Sequence, residues 1–176
     1  MMKFQEKERQ ITVLEYIQHW EGFMSKPYRC SAGKLSIGCG RNIQDRPLSA
    51  SEYRIIYPDL TISEAMKAIY NIGITEEKAI LLLKHDMDNI IFQMKPEKWL
   101  TNLSRNRKIV IYDMCYNLGY YGLLEFKKMI KAIKECDYEE ASNEIKSSRY
   151  YDQVGKRAKA NYYVMRLDTF PIGLLL

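Results

Sequence analysis

Apolar positions along most of the chain recur every three or four residues, as on one face of a helix, and the places where that period fails divide the molecule. Residues 5 to 21 carry Val13, Ile17 and Trp20 on one stripe beside Leu14, which predicts a first helix stopped by Gly22. After Pro27 the period shortens. Tyr28 to Cys30 and Leu35 to Gly40 read as two short strands, and Ser31-Ala32-Gly33-Lys34 between them has the residues of a hairpin turn. Residues 43 to 60, with Pro47, Pro58 and several serines, predict an irregular connection.

The helical period then resumes. Thr61-Ile62-Ser63-Glu64 has the spacing of a capping box, and Gly73 ends the helix it opens. Thr75 is placed to cap the next helix, whose stripe of Ile80, Leu83, Met87, Ile90 and Met94 runs up to Pro96. Residues 105 to 118 carry Ile109, Val110, Ile111, Tyr112, Met114, Cys115 and Leu118, apolar nearly all round, which predicts a central buried helix. Shorter helices are expected over 123 to 135, 138 to 147 and 155 to 168. The fold class that follows is α+β, as one domain over residues 1–176. A small hairpin lobe, about 22–60, should lean on a larger helical lobe built from residues 5–21 and about 75–176, with a cleft between them.

Composition narrows the class. With 47% hydrophobic and 28% charged residues over 176, the chain has the balance of a folded globular protein rather than a disordered one. No apolar run approaches the ~20 residues of a spanning helix, and Met1 to Glu8 holds no apolar signal core, so a cytoplasmic location without stable membrane insertion is expected. Twenty-seven Lys and Arg against 22 Asp and Glu give +5, which favours an anionic partner without choosing among nucleic acid, membrane and cell wall. Lys127, Lys128, Lys131 and Lys134 alternate with Met129, Ile130 and Ile133, the pattern of the wet face of a core helix more than of a phosphate site, so no nucleic-acid partner is expected. Cys30, Cys39, Cys115 and Cys136 show no CxxC spacing, and neither a metal nor another cofactor is expected.

The chemistry concentrates between Glu21 and Gly40. Glu21 closes the first helix, where the negative end of the dipole disfavours a carboxylate and favours its protonated form, as a general acid requires. The strand period puts Ser36, Gly38 and Gly40 on one face, with Tyr28 and Cys30 together on the preceding strand. A hydroxyl followed by two glycines would let a bulky substrate approach the backbone. Each feature also has an ordinary explanation: a Glu before a helix-ending Gly is commonly solvated, and alternating glycines commonly mark a bend.

Taken together, the stretch resembles the phage-type lysozymes, the T-even bacteriophage lysozyme-like endolysins. In that family a catalytic Glu is followed after eight intervening residues by Asp or Cys and after five more by Thr, in a frame E-G…Y…(D/C)…G…T-I-G-x-G. Glu21, Cys30 and Ser36 keep both spacings, with Tyr28, Gly33, Ile37, Gly38 and Gly40 in frame. Tyr116-Asn117-Leu118-Gly119-Tyr120-Tyr121-Gly122 through Phe126 is similar to the segment lining the family's cleft. Ser148-Arg149-Tyr150-Tyr151-Asp152-Gln153 through Arg157-Ala158-Lys159 is similar to its S-R-W-Y-x-Q…R-A motif. The likeness runs in order over about residues 10 to 170.

The resemblance implies hydrolysis of the β-1,4 bond between N-acetylmuramic acid and N-acetylglucosamine in bacterial peptidoglycan. By it Glu21 is the general acid, Arg157 the arginine that pairs with it, and Cys30 and Ser36 the residues that hold the attacking water. Asn117, Tyr28, Tyr151, Gly38 and Gly40 would support the substrate. It also implies a monomer, released to the periplasm by a holin if phage-encoded. Two departures stand out: Ser36 keeps a hydroxyl where Thr is usual, while Cys30 removes the second carboxylate of a typical glycosidase. Arg29 and Lys34 are placed to favour its thiolate. Alternatives are a lytic transglycosylase working on the same bond through Glu21, and a cysteine peptidase using Cys30 with His19 or His85. A non-catalytic basic wall- or nucleic-acid-binding module using Lys156, Arg157 and Lys159 is a further one. Against the peptidase, His85 lies among Lys84, Asp86 and Asp88, which predicts a solvated face.

Overall fold

The computed structural model describes residues 11–30 and 33–171 and has the α+β architecture expected, lysozyme-like and mainly helical with one small antiparallel sheet of order β1-β2-β3. Helix α1 spans Val13–Glu21. It starts later than the apolar stripe alone predicts because Thr12 caps it: the Thr12 hydroxyl accepts from the Glu15 N–H at 3.2 Å, and the Glu15 carboxylate accepts from the Thr12 N–H at 2.8 Å. Positions 5–10 of the expected helix lie outside the described residues.

The first strand of the hairpin is longer, and the second shorter, than the alternation predicts. Strand β1 covers Met24–Arg29, β2 Leu35–Gly38 and a third short strand, β3, Arg41–Asn42. Tyr28 pairs with Ser36 and Arg29 with Leu35, and the register shifts between Met24 and Tyr28, a stretch that holds Pro27 with no N–H to give. The connection after it is not wholly irregular, because Ala50–Ile56 forms α2. Ser49 and Glu52 cap this helix with the same reciprocal bonds that Thr61 and Glu64 make at α3, Ile62–Asn71.

Helix α4, Glu76–Met94, begins at Thr75 as its spacing predicts. A 3-10 turn at Lys98–Asn102 leads into α5, Arg105–Leu124, whose buried Ile109, Val110, Ile111, Met114 and Cys115 match the expected central helix. Gly119, at φ 76°, kinks it, and the expected helix from 123 instead opens at 127. Helices α6, Lys127–Lys134, and α7, Tyr138–Lys146, follow. The final segment splits into a short unpredicted α8, Arg149–Val154, and α9, Lys156–Leu167, at Gly155. The lysines of α6 are exposed while Met129, Ile130 and Ile133 are buried, as an amphipathic helix demands. No helix among the described residues is long and apolar enough to cross a membrane.

Two apolar clusters result. One joins Ile17, Ile37, Ile56, Ile69 and the first turns of α4 through Met87, and the other gathers Met94, Ile111, Met114, Leu123, Ile133 and Met165. Helix α4 feeds both. The smaller sheet is pinned to α4 by a buried ion cluster: Arg41 donates to Glu52 at 2.8 Å and also to Asp86, which Arg46 reaches from outside. His85, expected on a solvated face, turns toward this cluster with Nδ1 3.5 Å from Glu52. His85 is next to Asp86 on α4, whose carboxylate meets Arg41 in the same cluster.

Burial opposes the charge on Glu52, but the bonds from Ser49 and Arg41 outweigh it and hold its pKa below the usual carboxylate value. A depressed folded value contributes stability that is complete above the unfolded value of about 4.3 and is lost as pH falls through the folded one. Glu52→Gln should therefore be less stable than wild type at pH 7 by about 2 kcal/mol in urea unfolding. The gap should close as the pH is lowered below about 4.

Candidate active site

Glu21 is the last residue of α1, and Gly22, at φ +65°, turns the chain away from the helix axis there. That turn presents the Glu21 side chain where α1, the sheet, α5 and α9 come together, 19% accessible. Its Oε1 accepts a 2.5 Å bond from Nη1 of Arg157, a residue of the first turn of α9. The other two nitrogens of that guanidinium belong to Asp113 on α5. Nε donates to Asp113 Oδ1 at 3.0 Å and Oδ2 at 3.2 Å, and Nη2 to Oδ1 at 2.8 Å.

Asp113 is 0% exposed, so its charge is tolerable only because every oxygen is engaged. Asn161 donates to its Oδ2 at 2.7 Å and to the Tyr150 hydroxyl at 2.8 Å, while the Tyr16 hydroxyl donates to Asn161 Oδ1 at 2.8 Å. Burial alone would disfavour the Arg157 cation. Asp113 and then Glu21 overcome that and raise its pKa. Tyr16 and Tyr150 are pushed up by burial first and by Asp113 next, so both stay neutral hydrogen-bonding groups.

On the sheet side, a side chain at Gly40 would collide with the Glu21 carboxylate, its Cβ lying 3.0 Å from Glu21 Cδ and closer still to Oε2. Tyr116 on α5 donates to the Cys39 carbonyl at 2.9 Å and so fixes this turn. Burial, then the charge of Glu21, raises the pKa of Tyr28, of Tyr116 and of Cys39, the last to about 11.

The structure modifies several expectations. Ser36, Gly38 and Gly40 do not share one strand face, because β2 ends at Gly38 and both glycines have positive φ. The space beside Gly38 is filled by Ala79 at 3.0 Å and Ile74 at 3.2 Å, and that beside Gly40 by Glu21 itself, so both glycines serve internal packing rather than close approach of a substrate. Ser36 is buried opposite Tyr28, its hydroxyl donating to the Lys34 carbonyl at 3.4 Å. Cys30 is half-buried at the end of the hairpin, within electrostatic reach of Tyr28, which also feels Glu21. Of the cations flanking it, Arg29 donates to the Gly33 carbonyl at 2.8 Å and Lys34 to Asp45 at 3.0 Å. Asn117 is exposed on α5 and Tyr151 packs against the larger core, and neither shares a hydrogen bond or ion pair with Glu21 among the described residues.

Sequence reasoning missed Asp113, Asn161, Tyr16 and Tyr150. A single acid within the apolar stretch of residues 105 to 118 is a signal of a buried partner, but nothing local says which cation it meets. Glu52, His85 and Asp86 bring possible metal ligands within 4.8 Å of one another. Arg41 and Arg46 already neutralise those two acids, so the group reads as a structural ion cluster.

The sequence model of the phage lysozyme family matches residues 18–161, a span that contains Glu21, Asp113, Arg157 and Asn161. The chain is 24% identical over 159 residues to "Probable T4-type lysozyme 2" of Dictyostelium discoideum, covering 88% of this chain and 94% of that protein. It is 22% identical over 162 residues to "Probable T4-type lysozyme 1" of the same organism, covering 90% and 95%. Similarity to the "Pre-baseplate central spike protein Gp5" of Enterobacteria phage T4 is 25% over 154 residues, 84% of this chain and 26% of that protein.

Removing the guanidinium would strand the buried Asp113. Arg157→Met should lower unfolding stability by roughly 3–5 kcal/mol, and Asp113→Asn added to it should recover much of the loss. Denaturant unfolding of the two single variants and the double closes the cycle.

Proposed function

Because the chain belongs to the phage lysozyme family and is a lysozyme-like hydrolase, we propose that it cleaves the β-1,4 bond between N-acetylmuramic acid and N-acetylglucosamine in peptidoglycan, with Glu21 as general acid. The observation that carries this reading is the single bond from Arg157 to one oxygen of a partly accessible Glu21. Oε1 is anchored, and a proton on Oε2 can pass to the leaving glycosidic oxygen.

Cys30, just past the end of β1, and Ser36, on β2, would hold the attacking water on the opposite face of the sugar, giving inversion. Tyr28, Asn117 and Tyr151 would support the bound glycan. An ordinary thiol is mostly protonated at pH 7 and so a poorer acceptor for the water's proton than an ionised carboxylate, which makes a lytic transglycosylase, needing no water, the second reading. The same proposal has one lysozyme domain, with residues about 22–60 as its small lobe. It acts as a monomer on the wall, needs no nucleic acid or cofactor, and, if phage-encoded, waits in the host cytoplasm until a holin admits it to the periplasm.

Glu21→Gln keeps the shape of the acid but has no proton to give. Clearing of outer-membrane-permeabilised Gram-negative cells should drop by about 10²-fold or more with the fold retained, and near-normal clearing would remove Glu21 from the role. Cys30→Asp should keep or raise activity and Cys30→Ala should lower it. A bulky alkylating reagent should inhibit the wild type at this position and spare the Asp variant. An inactive Asp variant, together with 1,6-anhydro ends in wild-type digests of sacculi by mass spectrometry, would replace hydrolysis with transglycosylation.

A further inference from the structure

We propose that Asp113 is a positioning residue for Glu21 that acts through Arg157, fixing the orientation of the guanidinium and offsetting its charge so that Glu21 can keep a proton. The inference rests on Glu21 being the general acid. A guanidinium facing a carboxylate ordinarily grips both oxygens. Here Asp113 holds the side of the guanidinium through Nε and Nη2 at 2.8 to 3.2 Å, and in that orientation Nη1 meets Glu21 at Oε1. Oε2 has no bond to the guanidinium, and it is the oxygen a donated proton must leave from.

Charge follows the same logic. Beside a neutral Arg157–Asp113 pair, protonating Glu21 takes the group from one net negative charge to none. Without the Asp113 charge, the same step would take it from none to one net positive charge, and an isolated guanidinium would hold Glu21 ionised. The other groups facing Glu21 do not supply the missing charge. Tyr28 on β1, Tyr116 on α5 and Cys39 in the turn are all shifted upward by burial and are neutral near pH 7, and Glu76 and Asp86 of α4 act on Cys39 and Tyr116. Asp113 itself meets Arg157 and Asn161 of α9, with Tyr16 of α1 and Tyr150 of α8 behind them.

Asp113→Asn tests the proposal without opening a cavity. Its amide N–H would face Asn161, and an Asn161 flip restores every bond but the 3.2 Å one from Arg157 Nε to Oδ2, a donor that keeps Oδ1 at 3.0 Å, since the Tyr16 hydroxyl can accept and the Tyr150 hydroxyl can donate. The alkaline limb of kcat/KM on sacculi should move to lower pH by about one unit, giving a loss of about tenfold above the limb and little loss below it. The midpoint of the Glu21 side-chain carbon in NMR should fall with it. Asp113→Asn combined with Asn161→Asp returns a carboxylate to the cluster and should bring the limb back toward wild type. An equal loss at every pH, with an unmoved Glu21 midpoint, would overturn the proposal and leave Asp113 a packing residue. If the single variant does not fold, the wild-type spectrum decides: the Asp113 carboxyl must stay ionised while Glu21 titrates, and a proton on Asp113 in that range overturns it. A Glu21 midpoint that moves while the rate limb does not would uphold the coupling and contradict Glu21 as the acid.

Discussion

The guanidinium of Arg157, shared between a fully buried Asp113 and a partly accessible Glu21, is the interaction on which the rest of the site depends. A buried carboxylate is tolerated only with a cation and hydrogen bonds to satisfy it, and that requirement brings four helices together. Asp113 comes from α5, Arg157 and Asn161 from α9, Tyr16 from α1 and Tyr150 from α8. Glu21 is added to this assembly at its edge, where water can reach it. The end of α1 is thus fixed in position by a network whose centre is dry.

A second cluster of the same kind, Arg41 between Glu52 and Asp86, fastens the sheet and α2 to α4. Tyr116 lies within electrostatic reach of Glu21 and of Asp86, and its hydroxyl holds the Cys39 carbonyl between them. The turn that passes beside the Glu21 carboxylate is therefore braced from both clusters. This is why Gly40 has no room for a side chain: the turn and the acid are pressed together by elements fixed on either side.

Much of this was legible in the chain. Thr61 with Glu64 and Thr75 mark helix starts that the structure keeps, and the apolar character of 105 to 118 located the buried helix. The α2 start was equally legible, since Ser49 and Glu52 repeat the spacing of Thr61 and Glu64, but the prolines and serines around it outweighed that sign. Helix α8 has six residues, too few to show a period, and β3 has two. What could not be read is the pairing of charges distant in sequence. Asp113 and Arg157 lie 44 positions apart and Glu21 and Arg157 lie 136 apart, and no local pattern encodes such a meeting. The Ser36, Gly38, Gly40 alternation misled for the opposite reason: a period of two holds only while the strand lasts, and β2 stops at Gly38.

The proposed mechanism reduces to one claim, that the proton lost at the alkaline end of the working range would be the proton on Glu21. Following the Glu21 side-chain carbon by NMR across pH, beside the pH profile of kcat/KM on sacculi with the unmodified protein, tests it directly. The account predicts that the midpoint of the Glu21 titration and the alkaline limb coincide. A limb separated from the Glu21 midpoint by a full pH unit would contradict it and assign the acid to another group.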